Sequence, residues 1–240
     1  YGGCGGRMDP PTAYVFPEAY DSLTIIKGPQ TVLWGPGNMA ATVLFDRKVK
    51  PFAEPGVRGT LSALAGSAAR HDEVADVTAG NPAGYVRAIA TNSHANDYTD
   101  GNGDRVHSAF HRWSGNLLLG WTPDRDTRIE FEAARSDGEA AYADRSMDGV
   151  KFAREGYGLR FEKTDLTPWF TALEAQIYYN YIDHVMDNYS LRPAPAVSGL
   201  AVSNPDRRTT GGKIVATLQP AGATEIKLGV DRQSNRHRFR

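Results

Sequence analysis

From about residue 57 onward, apolar and polar residues alternate with a period of two, broken at fairly even intervals by Gly, Pro, Asn and Asp clusters. Such runs, rich in Val, Ile, Thr and aromatics, predict strands. They fall at 57–68, 72–80, 84–94, 107–122, 126–137, 150–163, 168–186, 208–219 and 223–234. Within a strand, residues two apart share a face. Ile129, Phe131 and Ala133 therefore oppose Arg128, Glu130 and Glu132. Tyr157, Leu159 and Phe161 oppose Arg160 and Glu162. Ile226, Leu228 and Val230 oppose Glu225, Lys227 and Asp231. Trp113 and Trp121 share a face with Gly115, Leu117 and Leu119 between them.

The links between strands alternate in length. Asn81-Pro-Ala-Gly84, Thr122-Pro-Asp-Arg125, 164–168 and Gln219-Pro-Ala-Gly222 are short, whereas 96–106, 138–149 and 187–207 are long and mostly rich in Asp, Asn and Gly. Tight turns at one end and long loops at the other are the pattern of an outer-membrane barrel, as is an apolar band with aromatics at both rims. A soluble antiparallel sheet also alternates. The 168–186 run, however, is long for a soluble strand. The expected fold is an all-β transmembrane barrel of about nine antiparallel strands. An open edge in lipid leaves backbone groups unpaired, so these strands are expected to belong to a larger barrel.

Composition narrows the alternatives. No run of 18 apolar residues exists, so no membrane-spanning helix is expected. The formal net charge of the 240 residues is -1, which gives no electrostatic reason for a nucleic-acid partner. Cys4 is the single cysteine, so no internal disulfide can form. The first residues carry no secretory signal, and both ends read as cut from a longer chain.

Composition shifts near 51–55. Before it, Leu23, Ile25 and Ile26 predict a buried strand, which Gly28-Pro29 turns and Gly35 to Gly37 turns again. Lys27-Gly28-Pro29, four residues, Trp34-Gly35 and a small-residue stretch directly precede the barrel strands. This segment resembles the end of the plug domain of TonB-dependent receptors, with Thr24 where that family often has Glu. The resemblance implies a mixed α/β plug domain, in its C-terminal part, over 1–52 and the N-terminal part of the barrel over 53–240. It also implies an outer-membrane location in a gram-negative cell, contact with outer-membrane lipid, and energisation by TonB with its inner-membrane complex.

Two short motifs carry candidate metal chemistry: Cys4-Gly-Gly-Arg-Met8 and His184-Val-Met186. Thiolate and thioether are soft ligands that select Cu(I), and imidazole also suits copper. His184 and Met186 share the more polar face of their strand with Glu174, Gln176 and Asn180, although Ile182 falls there too. That face is expected to look into the lumen. Loop parity puts the pair near the outer mouth, and the glycines beside Cys4 let the chain fold sharply. The combination is similar to that of TonB-dependent copper receptors of the OprC type, and the segment from Arg7 to Tyr14 looks like that subgroup. The resemblance implies a copper site of Cys4, Met8, His184 and Met186, with a copper ion, Cu(I) favoured, as the imported cargo. Arg7 is near enough in sequence to lower the Cys4 pKa. Met39 reads as plug core, Met147 as a secondary contact at most, and His71, His94, His107 and His111 as surface.

Two other readings compete. A receptor for a siderophore, haem or another metal chelate would use aromatic and basic loop residues, for which Tyr142, Tyr157, Tyr189 and Arg192 qualify. An enzyme would need a nucleophile beside a base. Ser190 near His184 and Ser108 near His107 and His111 fit no recognisable motif, so no enzyme is expected.

Overall fold

The computed structural model describes residues 14, 16–28, 33, 41–48 and 50–240. Cys4, Arg7, Met8, Gly35 to Gly37 and Met39 lie outside the described residues, and so do the readings that fall on them.

A single 3-10 turn, Pro17–Ala19, precedes two short strands. Strand β1 (Ser22–Lys27) pairs antiparallel with β2 (Ala41–Asp46), Ser22 opposite Asp46 and Lys27 opposite Ala41. Gly28, at φ +88°, leaves β1 in a left-handed conformation that glycine adopts without strain. The strand forms where its apolar residues predict, but it is not buried: Leu23 is 50% and Ile25 56% exposed. Among the described residues this sheet has two strands, so the exposure of Leu23 and Ile25 is that of these residues in the present chain.

The rest is one antiparallel sheet. Its strands are β3 (Gly56–Ala65), β4 (His71–Asn81), β5 (Gly84–Ala95), β8 (Phe110–Asp124), β9 (Thr127–Ala140), β10 (Asp148–Thr164), β11 (Phe170–Asp187), β13 (Pro205–Leu218) and β14 (Ile226–Phe239). Each pairs with the next in chain order, except for small insertions in the long loops. These insertions are a two-residue hairpin, β6 (Tyr98–Thr99) with β7 (Arg105–Val106), and β12 (Val202–Ser203) beside β11. All nine predicted strands are present. Residues 82–83, 125–126, 165–169 and 219–225 make the turns at one end, and 96–109, 141–147 and 188–204 cluster at the other.

The two faces differ in chemistry. On one, Trp113, Leu117, Leu119 and Trp121 of β8 are exposed, with Phe131, Tyr157, Leu159, Ile177, Ile214, Leu228 and Val230 on the strands that follow. This is the apolar, aromatic-edged band expected against lipid. The other face covers the N-terminal segment. Phe16 and Ala19 pack there on Tyr85, Ile89 and Leu118, with Tyr20 and Phe52 at the edge.

Polar ties fix the same docking. Arg47 donates to the Ala19 carbonyl at 2.8 Å, to Glu132 Oε1 at 2.5 Å and to Asn116 Oδ1 at 2.7 Å, and lies over the Tyr20 ring at 4.0 Å. Arg87 of β5 donates through two nitrogens to Asp21, at 2.7 and 2.9 Å, and through Nε and Nη2 to Asp76 of β4, at 2.9 and 2.6 Å. Asp21 is held below the usual carboxylate range, chiefly by the Arg87 hydrogen bond, against the opposing effect of burial.

Candidate metal centre

β11 is 18 residues long and β10 is 17, whereas a strand crosses the hydrocarbon layer in about 9–11. Their outer ends therefore project past it on the long-loop side. His184 and Met186 sit on this projecting end, two residues apart and so on one face. His184 is 1% exposed. It packs with Ile182 on the face that holds the N-terminal segment, as the alternation predicts.

The surroundings of His184 are aromatic. Phe152 of β10 stands directly opposite it in register, with ring centroids 4.7 Å apart. Tyr14 of the N-terminal segment lies 6.2 Å from the imidazole and 5.9 Å from the Phe152 ring, in edge-on arrangements. Tyr14, Phe152 and Ile182 form one buried cluster, flanked by Ala140 and Tyr142. The Ser136 hydroxyl donates to the Tyr14 carbonyl at 3.4 Å. The four predicted ligands thus divide. His184 lies beside Tyr14, Met186 follows two residues on along β11, and Cys4 and Met8 lie outside the described residues.

Met186 stands opposite Gly149 on one side and Ser203 on the other. Gly149 is a site of close approach: a Cβ there would meet Phe152 ring carbons at 2.3 and 2.4 Å. The Phe152 ring would have to move, and it moves against His184. Gly149→Ala is expected to destabilise the protein by about 1–3 kcal/mol through overpacking. Thermal unfolding of the full-length protein checks this, and an unchanged melting temperature refutes it.

Above this cluster the outer loops converge on Asp148, which is fully buried at the start of β10. Its Oδ2 accepts hydrogen bonds from Arg192 Nε at 2.7 Å and His107 Nε2 at 2.9 Å. Its Oδ1 accepts from the Tyr142 backbone N–H at 2.9 Å and from Arg192 Nη2. Arg192 also donates to the carbonyls of Arg145 and Tyr142, at 2.7 and 2.9 Å. One carboxylate therefore ties together the loops 96–109, 141–147 and 188–204. Burial alone would raise its pKa, but the hydrogen bonds from Arg192, His107 and the Tyr142 N–H outweigh it and hold the group at about 2. The reading of His107 as plain surface is corrected by this contact. Beside it, Asp187 accepts from the Tyr189 and Ser190 backbone N–H groups at 3.1 and 2.8 Å.

The Ser and His residues weighed for an enzyme engage other partners. Ser190 Oγ donates to Asp187 at 2.5 Å, and Ser108 Oγ donates to the Val106 carbonyl at 3.0 Å. Of the residues weighed for chelate recognition, Tyr142, Tyr189 and Arg192 stand at the mouth. Tyr157 does not: it is exposed on the outward face, where the parity of β10 sends it.

No family model matches the chain, and no curated protein matches it. Among solved structures it is similar to the copper transporter OprC, with 49% identity and a TM-score of 0.93 over 100% of this chain. It is also similar to the FrpB iron transporter from Neisseria meningitidis (F5-1 variant, apoprotein form), with 15% identity and a TM-score of 0.72 over 94% of this chain, a likeness of fold alone. In each case the chain spans 37% of the transporter's own length. Matched from end to end at nearly half identity, the chain is a partial chain of the OprC type.

Proposed function

We propose that this chain is part of a TonB-dependent outer-membrane receptor that captures and imports copper. Residues 1–52 are the end of its plug and 53–240 the first strands of its barrel. Cys4 and Met8 from the plug, with His184 and Met186 from β11, hold the ion near the outer mouth. The observation that carries the reading is the burial of His184 against Tyr14, which joins β11 to the segment that follows Met8. Whole-length similarity to a copper transporter supports the choice of cargo.

The donor set fits that cargo. One thiolate and two thioethers favour Cu(I), and the imidazole accepts either oxidation state. The aromatic wall of Tyr14 and Phe152 keeps water from one side of His184 and fixes its ring. Release of the ion then requires the plug ligands to part from the barrel ligands. A TonB-driven plug movement supplies that separation.

Metal analysis of the full-length receptor, grown with copper, tests the site. About one copper per protein is expected from a single four-ligand site, with loss of most of it in Cys4→Ser and in His184→Ala. Equal copper in the variants removes the ligand assignment. No copper in any form overturns the cargo and directs the search to metal chelates.

A further inference from the structure

Three histidines that the proposed copper site does not use line up on the outward face. In the strand register His71 of β4 stands opposite His94 of β5, and His94 stands opposite His111 of β8. The ring centroids are 5.0 Å apart in the first pair and 6.0 Å in the second. Alternation puts all three on the lipid-facing side. His111 is two residues beyond Trp113 on that face, toward the long loops. The row therefore stands just past the aromatic rim, at the depth of the outer-leaflet headgroups.

Each imidazole has one nitrogen bound to an oxygen that can only accept. His71 Nδ1 is 3.3 Å from the Ala69 carbonyl, and His94 Nε2 is 3.2 Å from Asn96 Oδ1. His111 Nε2 is 2.9 Å from Asn92 Oδ1, and the Asn92 amide in turn donates to Glu73 Oε2 at 2.8 Å. In the neutral form of each ring this contact puts the proton on the bonded nitrogen, which leaves the lone pair on His71 Nε2, His94 Nδ1 and His111 Nδ1. A histidine whose second nitrogen donates to a carbonyl or amide oxygen has the tautomer and orientation of a metal ligand.

The backbone beneath is well fixed. The Gly66 N–H donates to the Arg70 carbonyl at 2.9 Å, closing the β3–β4 turn, and the Asn96 N–H donates to the Ala68 carbonyl at 2.8 Å, tying that turn to the end of β5. Arg70 pairs with Asp72 at 2.7 Å. His71 and His94 are thus held side by side by their register and by the turn above them.

We propose that His71 and His94 chelate a divalent transition-metal ion of the imidazole-preferring kind, such as Zn2+ or Cu2+, on the outer surface of the barrel, with His111 extending the row. Among the described residues no group of three or more His, Cys, Asp or Glu side chains is arranged to hold a metal. The site is accordingly a two-imidazole chelate through His71 Nε2 and His94 Nδ1, completed by water. It is separate from the copper site in position and in ligand type, since it has no sulfur donor.

The test uses the full-length receptor carrying Cys4→Ser, purified through a tag without histidine, so that the outcome does not depend on the copper site. Zn2+ titrated by calorimetry is expected to give an isotherm that weakens at least tenfold in His94→Gln. Diethylpyrocarbonate labelling read by mass spectrometry, on protein with all histidines intact, is expected to slow at least threefold at His71 and His94 with Zn2+ and to stay unchanged at His237. The same isotherm with and without His94, or labelling of His71 and His94 indifferent to Zn2+, overturns the proposal.

Discussion

Arg87→Met is expected to loosen the N-terminal segment from the sheet more than any other single change in the protein. The Arg87 side chain is 6% exposed and is the shared partner of Asp21 and Asp76. Its removal leaves two carboxylates facing each other in a site built for a cation between them. Breaking a buried ion pair by deleting one partner costs about 3–5 kcal/mol, because the remaining charge stays desolvated. Asp21 and Asp76 are about one-third and one-quarter exposed, so partial hydration puts the result near 3 kcal/mol. That corresponds to about a hundredfold larger open population of the segment. Limited proteolysis of the 14–52 region reads that population when opening is fast relative to cleavage. Arg87→Lys is expected to recover only part of the loss, since an ammonium cannot make two forked contacts at once. Adding Asp21→Asn to Arg87→Met is expected to recover some protection by removing one of the stranded charges. Cleavage at the parental rate in Arg87→Met refutes the latch.

If the segment is the plug of the proposed receptor, these ties are what any plug movement must break first. Arg47 and Arg87 hold it to β4, β5, β8 and β9, while Tyr14 holds it near β10 and β11. The segment is also tied to β13, where Lys213 Nζ donates to the Leu33 carbonyl at 3.4 Å. The ion pairs thus lie at one place on the sheet, the aromatic contact with the candidate ligand His184 at a second and the Lys213 contact at a third.

The strands were legible because period-2 alternation is a local property, and lipid-facing Trp113, Trp121 and Ile177 reinforce it. Their outer ends were less so. β9 runs on to Ala140 and β14 to Phe239, beyond the predicted ends, because past the apolar band both faces are polar and the alternation loses contrast. The direction of His184 followed from parity, but its partner Phe152 did not. That pairing depends on the register between β10 and β11, which includes a shift between Gly149 and Lys151 that the residue string does not reveal. The Asp148 hub was missed for a related reason: its donors come from three loops, and nothing local distinguishes Asp148 from the neighbouring loop carboxylate Asp144. The histidine row is a register effect as well, invisible until β4, β5 and β8 are aligned. What covers β1 depends on neighbours that a local apolar run does not identify, and this chain spans only 37% of the transporter it matches.

Asp148→Ala is expected to release the outer loops. The carboxylate has no exposed surface, and it organises Arg192, His107 and the Tyr142 N–H together. Arg192 is 21% exposed, so once unpaired it can turn partly to water, which keeps the cost near the lower end of the buried-pair range, about 3 kcal/mol. Amide hydrogen exchange in 141–147 and 188–204 should accelerate about a hundredfold, while exchange in the apolar band of β8 and β9 stays unchanged. The unmutated protein is expected to approach the same state in acid. The folded pKa, about 2, is lower than the unfolded value of about 3.9, so the native state binds the proton less readily. The stabilisation is complete above about pH 4 and is lost as pH falls toward 2. Asp148→Asn keeps the shape but removes the charge, and is expected to flatten this acid dependence between pH 4 and 2. Loop exchange that is insensitive to Asp148→Ala, or an acid dependence equally steep in Asp148→Asn, would show that the loops are held by other contacts. The loop effects should also reach the candidate metal centre. Tyr142, whose N–H and carbonyl both enter the Asp148–Arg192 network, flanks the cluster of Tyr14, Phe152 and Ile182 beside His184. Freed loops would leave that aromatic wall open to water on its outer side.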